Sequence, residues 1–260
     1  MTERARYYTT QLQAGLGLID ETKLLLSLYS PGVTAAQLNT VALNSGHFPM
    51  VSARRLRNIV LECFAPRYLK TNAAVYLKRL ATDLPTTALS QLLFIYTAEA
   101  NIILHDFIKD MYWARYSGGR DKLGNEDART FVAHAVREGK TRKPWSDSTI
   151  KRVGSYLIGC CADYGLLSSR RTATRTIQPI RIQESTALFL AYKLHFDGLG
   201  DNAVIGHEHW RLFGLEAADV LDEFRRLARN GWVVFQSAGD VACTSWKFKS
   251  MEEVVDVIAE

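Results

Sequence analysis

Ser146-Asp147-Ser148-Thr149-Ile150-Lys151-Arg152-Val153 opens the stretch, Trp145 to Ile182, whose reading decides the fold. Ser146 to Thr149 is a run of residues whose short oxygens cap helix N-termini. Ile150, Val153, Leu157, Cys160 and Tyr164 then recur three or four apart, which predicts a helix with one apolar face. Gly165 is the natural left-handed stop. Leu166-Leu167-Ser168 and Thr176-Ile177-Gln178 read as two short strands joined by a tip containing Arg170, Arg171 and Arg175. Asn125 to Arg137 supplies a preceding helix, with Phe131, Val132, Ala135 and Val136 inward. The turn between the two helices holds Lys140-Thr141-Arg142-Lys143-Pro144. Two helices, a basic turn and a hairpin with a basic tip have the outline of a winged helix-turn-helix.

Charge supports that outline. The chain has 260 residues, 47% hydrophobic and 23% charged, with a formal net charge of +5. Between Arg137 and Arg181 ten bases face three acids, a net +7. Residues 1–136 carry +4, and residues 182–260 carry −6. A basic segment beside an acidic one is the footprint of a phosphate-binding face on a less charged body. The plainer account is a solvated loop region; coincidence of the charge with the hairpin favours the first.

Outward from this centre the chain reads as helical. Tyr7-Tyr8, Gly15 and Gly17 belong to an N-terminal arm expected to dock. A helix is expected from Asp20 to Tyr29. Thr34-Ala35-Ala36-Gln37 is a capping box that starts the next. Ser52 caps a third, with Leu56, Ile59, Val60, Cys63 and Phe64 inward, Arg54, Arg55 and Arg57 outward, and Pro66 as its end. That trio is helix-turn-helix-like or a plain three-helix bundle with a solvated arginine face, about evenly. Tyr68 to Ala81 reads as a further helix. Thr86 to about Tyr116 reads as one long apolar helix, the spine of an N-terminal domain. Gly118-Gly119 closes it.

After Ile182 come helices over Glu184–His195, His207–Phe213 and Glu216–Arg229, with a turn at Gly198 to Asn202. Trp232 to Phe235 and Val241 to Thr244 flank a hairpin turn, and Met251 to Ala259 closes the chain as a helix. This is a second helix-then-hairpin pattern; its tip carries Asp240 and no base. The expected fold class is mainly α. A helical domain with a helix-turn-helix-like segment spans residues 1–120, a winged helix-turn-helix spans 121–183, and a second winged-helix-like unit spans 184–260.

Catalytic and metal signatures are missing from the sequence. There is no phosphate-binding glycine loop, no dinucleotide fingerprint and no nucleophile elbow. His207-Glu208-His209 places histidines at i and i+2, which do not share a helix face, so a polar helix start is the better account. The remaining histidines are scattered singly, and no carboxylates cluster as a divalent-metal nuclease would need. Cys63, Cys160, Cys161 and Cys243 form no C-x-x-C pair and read as reduced thiols. No enzyme activity, metal or cofactor is expected. The start of the chain has no apolar stretch of a signal peptide, and charges interrupt the apolar run after Leu84, so no membrane span is expected and the cytoplasm is the expected compartment.

The candidate nucleic-acid-binding residues are therefore Arg54, Arg55, Arg57, Lys140, Arg142, Lys143, Ser148, Lys151, Arg152, Arg170, Arg171 and Arg175. Bases that neutralise phosphates release counterions, a term indifferent to sequence. The second helix of such a unit presents its N-terminal residues, here Lys151 and Arg152, to a groove. Few long polar side chains follow them, so modest sequence specificity is expected.

Particular stretches resemble a known family. Ser45-Gly46-His47-Phe48-Pro49, Ser52 through Val60, Cys63 through Leu69, and Val153 through Leu167 resemble the BrxA proteins of BREX bacteriophage-defence systems. The resemblance implies a small, mostly helical, non-enzymatic component of a bacterial defence operon that also encodes a DNA methyltransferase, an ATPase and a phosphatase-like protein. It further implies duplex DNA binding through helix-turn-helix elements, in company with other BREX subunits. The family's likeness to the RNA-binding protein NusB keeps weak RNA binding as an alternative, and a protein-interaction scaffold as another.

Overall fold

The computed structural model describes residues 7–169, 172–238 and 241–260, and it is mainly helical with two short antiparallel sheets. Two compact units divide the chain. One is Met1–Val75 with Leu93–Ile180; the other is Tyr76–Leu92 with Arg181–Glu260.

In the first unit, α1 (Ile19–Leu28) and α2 (Ala35–Asn44) precede α3 (Ala53–Asn58). The expected capping box forms: the Gln37 amide donates to the Thr34 hydroxyl oxygen at 3.3 Å, and the Thr34 amide donates to the Gln37 side chain at 2.9 Å. Ser52 caps α3 through the Arg55 amide. The helix does not stop at Pro66. It continues as a wider π-helix, Ile59–Leu69, with Pro66 inside it. Proline lacks an N–H and its ring crowds the carbonyl four residues back, so a local widening relieves it. The Lys70 amide accordingly donates five residues back, to Ala65, at 3.0 Å. Tyr68 thus belongs to the last turn of this element and does not begin the next. Asn72, in the left-handed region at φ 57°, separates it from α4 (Ala73–Asp83).

The long helix expected over Thr86 to Tyr116 is not one helix. Here α5 (Thr86–Ala100) meets the segment Ile102–Ser117 at a bend of 112°. Asn101 is the cause. It leaves helical geometry at φ −131°, ψ 83°, and its buried side-chain amide donates to the Thr97 carbonyl at 2.8 Å. A side chain that satisfies a backbone acceptor locally competes with the helix ladder. Beyond the bend lie α6 (Ile102–Phe107), a π turn over Ile108–Tyr112 and α7 (Trp113–Ser117). No single helix among the described residues is long and apolar enough to cross a membrane.

The region around the opening stretch forms as β1 (Lys122–Gly124), α8 (Asn125–Arg137), α9 (Asp147–Asp163) and β2 (Thr174–Thr176). Gly165, at φ +76°, ends α9 in the left-handed conformation. The chain then returns as the expected hairpin. Leu167 bridges Ile177, the Ser168 amide donates to Thr176 at 2.9 Å, and the Gln178 amide donates to Leu166 at 2.8 Å. Its second strand also pairs with β1, Leu123 opposite Arg175. The Tyr112 hydroxyl lies 3.0 and 2.9 Å from the Leu166 and Gln178 carbonyls and pins the hairpin's base. Ile150, Val153 and Leu157 of α9 are buried, each contributing about 1.5–3 kcal/mol. Helices α8 and α9 pack closely because residue 154 is glycine; a Cβ there would lie 3.0 Å from the Arg129 amide nitrogen.

The second unit holds the latter part of α4, the start of α5, α10 (Glu184–Phe196), α11 (Asp201–Ile205), a 3-10 helix over Glu208–Phe213, α12 (Ala217–Arg229), β3 (Val233–Ala238), β4 (Val241–Trp246) and α13 (Met251–Ala259). The expected turn at Gly198 to Asn202 runs straight into α11. Its Asp201 carboxylate accepts from the Thr244 amide at 2.7 Å and the Trp246 indole at 3.1 Å, tying α11 to β4. Val233 pairs with Trp246 and Phe235 with Thr244. The expected hairpin tip at Gly239-Asp240 lies outside the described residues. Buried Tyr192 donates to the Trp232 carbonyl at 2.6 Å and accepts from the Lys247 amide at 2.9 Å, so its hydroxyl joins both ends of the hairpin. Gln91 holds the entry to α10, donating to the Arg181 carbonyl at 2.7 Å and accepting from the Gln183 amide at 2.8 Å.

Candidate nucleic-acid interface

Helix α9 turns Ile150, Val153 and Leu157 inward, and this leaves Asp147, Ser148, Lys151, Arg152 and Ser155 exposed. The cap at its start is a hydroxyl cluster. The Ser146 oxygen accepts from the Thr149 amide at 3.4 Å and lies 3.0 Å from the Ser148 hydroxyl and 3.1 Å from that of Thr149. Helix N-termini carry partial positive charge, which the Asp147 carboxylate faces in the first turn, with Lys151 and Arg152 one turn in. Among the described residues no carboxylate pairs with Lys151 or Arg152. Arg142 and Lys143, on the turn that leads into α9, are likewise exposed.

Other predicted bases are placed differently. Lys140 is drawn to acids: its ammonium lies 3.9 Å from Asp106 and 4.0 Å from Glu138, and 5.7 Å from the Tyr8 ring. Arg175 is half-buried on the hairpin, donating to the Ser168 carbonyl at 3.3 Å. Arg170 and Arg171 lie outside the described residues. Arg54, Arg55 and Arg57 are exposed on α3, as the amphipathic spacing implies.

Sequence reasoning missed the residues that organise the turn. Tyr8 donates its backbone amide to the Lys140 carbonyl at 2.8 Å and bridges Thr141, and its hydroxyl donates to Asp106. Burial works to raise the pKa of Asp106. Hydrogen bonds from His105 and Tyr8 and the charges of Lys109 and Lys140 outweigh it, and hold the carboxyl below its usual range. Burial and the hydrogen bond to Asp106 push the Tyr8 phenol well up. Further along the arm, buried Arg67 donates to the carbonyls of Gly15 at 2.8 Å, Leu16 at 2.9 Å and Gly17 at 3.4 Å. The Gly17 amide donates to Asp163 at 2.9 Å, and the Tyr164 hydroxyl donates to the Gly17 carbonyl at 3.2 Å. The signals available were Tyr7-Tyr8 and the pair of glycines, where a Cβ would run into the side chains of Leu18 and Asp163.

The chemistry-bearing groups elsewhere have structural partners. His207 caps its 3-10 helix, its Nδ1 accepting from the His209 amide at 3.2 Å. Cys63, Cys160 and Cys161 are buried free thiols, and desolvation pushes Cys160 up to about 12, so it stays protonated at neutral pH.

Fold and face together define a mainly helical protein with a strand–helix–helix–hairpin region whose second helix exposes Lys151 and Arg152 near its start. The profile of the BrxA family matches residues 6–193, and the chain belongs to that family. Membership associates it with BREX bacteriophage defence. Among solved structures, a crystal structure of an uncharacterized protein from Magnetospirillum magneticum is similar in fold, with 18% identity, a TM-score of 0.56, and coverage of 79% of this chain and 97% of that one. No curated protein matches.

Proposed function

We propose that the protein is a non-enzymatic accessory subunit of a BREX system that binds double-stranded DNA in the cytoplasm, mainly through backbone phosphates. In this reading residues 121–183 act as a winged helix, with α9 as the helix that meets the duplex. One observation carries the reading. Arg142, Lys143, Lys151 and Arg152 stand exposed on the turn and first turns of α9, with no carboxylate partner among the described residues. Unpaired bases at a capped helix start are what phosphate contact requires.

Fluorescence anisotropy with unrelated duplexes across a salt series tests it. Four to six neutralised phosphates give a log–log slope of about −4 to −5. A flat salt response overturns the reading. A second reading, docking of another BREX subunit, draws on exposed Val41, Leu43 and Met50, which precede the α3 arginines in the chain. Failure to bind duplex DNA together with co-purification of other BREX subunits selects it, and competition with structured RNA separates an RNA-binding role.

A further inference from the structure

The turn between α8 and α9 carries two bases with different partners, Lys140 among carboxylates and Arg142 over the Tyr7 ring, and the N-terminal arm touches both. Thr141 is buried and bridged to Tyr8, which is itself only 5% exposed. In extended backbone successive side chains alternate sides. On the arm this sets Tyr8 inward and Tyr7 outward; the Tyr8 hydroxyl and the Lys140 ammonium both meet Asp106. Tyr7 is 42% exposed, and the Arg142 guanidinium lies 5.8 Å from the centre of its ring. That distance is within cation–π range. Among the described residues no carboxylate competes for Arg142. The arm has little freedom to leave, because Arg67, Tyr164 and Asp163 hold Gly15 to Gly17 and Tyr8 is bonded at both backbone and hydroxyl.

We infer that Tyr7 is a positioning residue for Arg142, and that the arm is thereby part of the duplex-binding face. This rests on the DNA-binding reading above. An arginine lying on an aromatic face keeps its planar fork available for phosphate while losing part of its rotamer freedom before contact. Lys140 cannot substitute for it, because its ammonium is already among carboxylates. The partner chemistry is a nucleic-acid phosphate met by a pre-oriented guanidinium, with no base reading by Tyr7.

The experiment uses the full chain and a fluorescent duplex, with wild type, Tyr7→Ala, Tyr7→Phe, Arg142→Ala and the Tyr7→Ala/Arg142→Ala pair, each across a salt series. Tyr7→Ala is expected to weaken binding about two- to fivefold, with thermal melting unchanged because Tyr8 still seats the arm. Tyr7→Phe keeps wild-type affinity, since the ring and not the hydroxyl faces Arg142. Arg142→Ala weakens binding further and reduces the salt slope by about 1. The double variant binds no more weakly than Arg142→Ala alone, because removing the guanidinium leaves Tyr7 nothing to position. Wild-type binding by Tyr7→Ala, or losses at Tyr7 and Arg142 that simply add, overturns the inference while leaving DNA binding intact. Failure of wild type to bind duplex DNA overturns the functional reading, and the inference with it.

Discussion

The helix-then-hairpin of α9 and the hairpin after it can be set beside that of α12 with β3 and β4. Both helices end at a glycine turn and both hairpins are antiparallel. Their exposed charges differ in kind. On α9 Lys151 and Arg152 have no carboxylate partner among the described residues. On α12 two of the three arginines are answered one turn away: Arg225 pairs with Asp222 and Arg226 with Glu223, while Arg226 also lies 3.8 Å from Glu184 and Arg229 is exposed without a carboxylate partner among the described residues. Arg211 likewise pairs with Glu216 at 2.9 Å. Carboxylates at i−3 on a helix surface neutralise their neighbours. The same silhouette therefore carries bases without carboxylate partners in one region and mostly ion-paired ones in the other. Charge along the chain separates the two, +7 against −6, and pairing adds to the separation.

Three changes would break or sharpen this contrast, and the largest effect is on binding. Reversing both free bases, Lys151→Glu with Arg152→Glu, should weaken duplex binding by at least about tenfold. Reversing the ion-paired Arg211 and Arg225 of the second region should leave affinity within about twofold. Anisotropy titrations of both variants decide it, and equal losses would erase the distinction between the two regions.

Packing comes next. A valine at residue 154 would drive branched carbons into the α8 backbone, where even a Cβ comes within 3.0 Å of the Arg129 amide nitrogen and 3.2 Å of the Ala128 carbonyl carbon. Gly154→Val should cost about 1–3 kcal/mol, seen as a lower midpoint in urea. An unchanged midpoint would show that the α8–α9 seam can give.

The smallest effect is in acid. Asp106 is held below its usual range by its partners despite burial. A carboxyl depressed in the folded state contributes stability that is present above its unfolded value, about 3.9, and lost as pH falls through the folded value. The arm's seat on the α8–α9 turn should therefore loosen below about pH 4. Hydrogen exchange of the Tyr8 amide follows it directly. Asp106→Asn should remove that acid sensitivity, and persistence of the same pH dependence in the variant would assign it to another group.

Much of this was legible beforehand, and for local reasons. The Thr34–Gln37 box, the Ser146 cap, the Gly165 stop and the pairing of Leu167 with Ile177 are all decided within a few residues. The break at Asn101 was not, because apolar periodicity continues across it and only the amide's choice of the Thr97 carbonyl reveals it. Tyr68 was misassigned because a proline inside a π-helix looks the same in sequence as a helix end. At the candidate site Lys151 and Arg152 were readable from helical phase. Lys140 and Arg175 were not separable from them, since their partners Asp106 and Ser168 are fixed by the fold.

By itself the sequence determined the helical class, the order and caps of most elements, the outward phase of α9 and the basic character of its surroundings, because these follow from period, capping chemistry and charge along the chain. Tertiary structure alone decided which bases remain without a carboxylate, where α5 stops, and how Arg67 and Asp106 seat the N-terminal arm against segments about fifty to nearly one hundred and fifty residues away. Those are contacts between groups distant in sequence, and no local pattern encodes the distance between them.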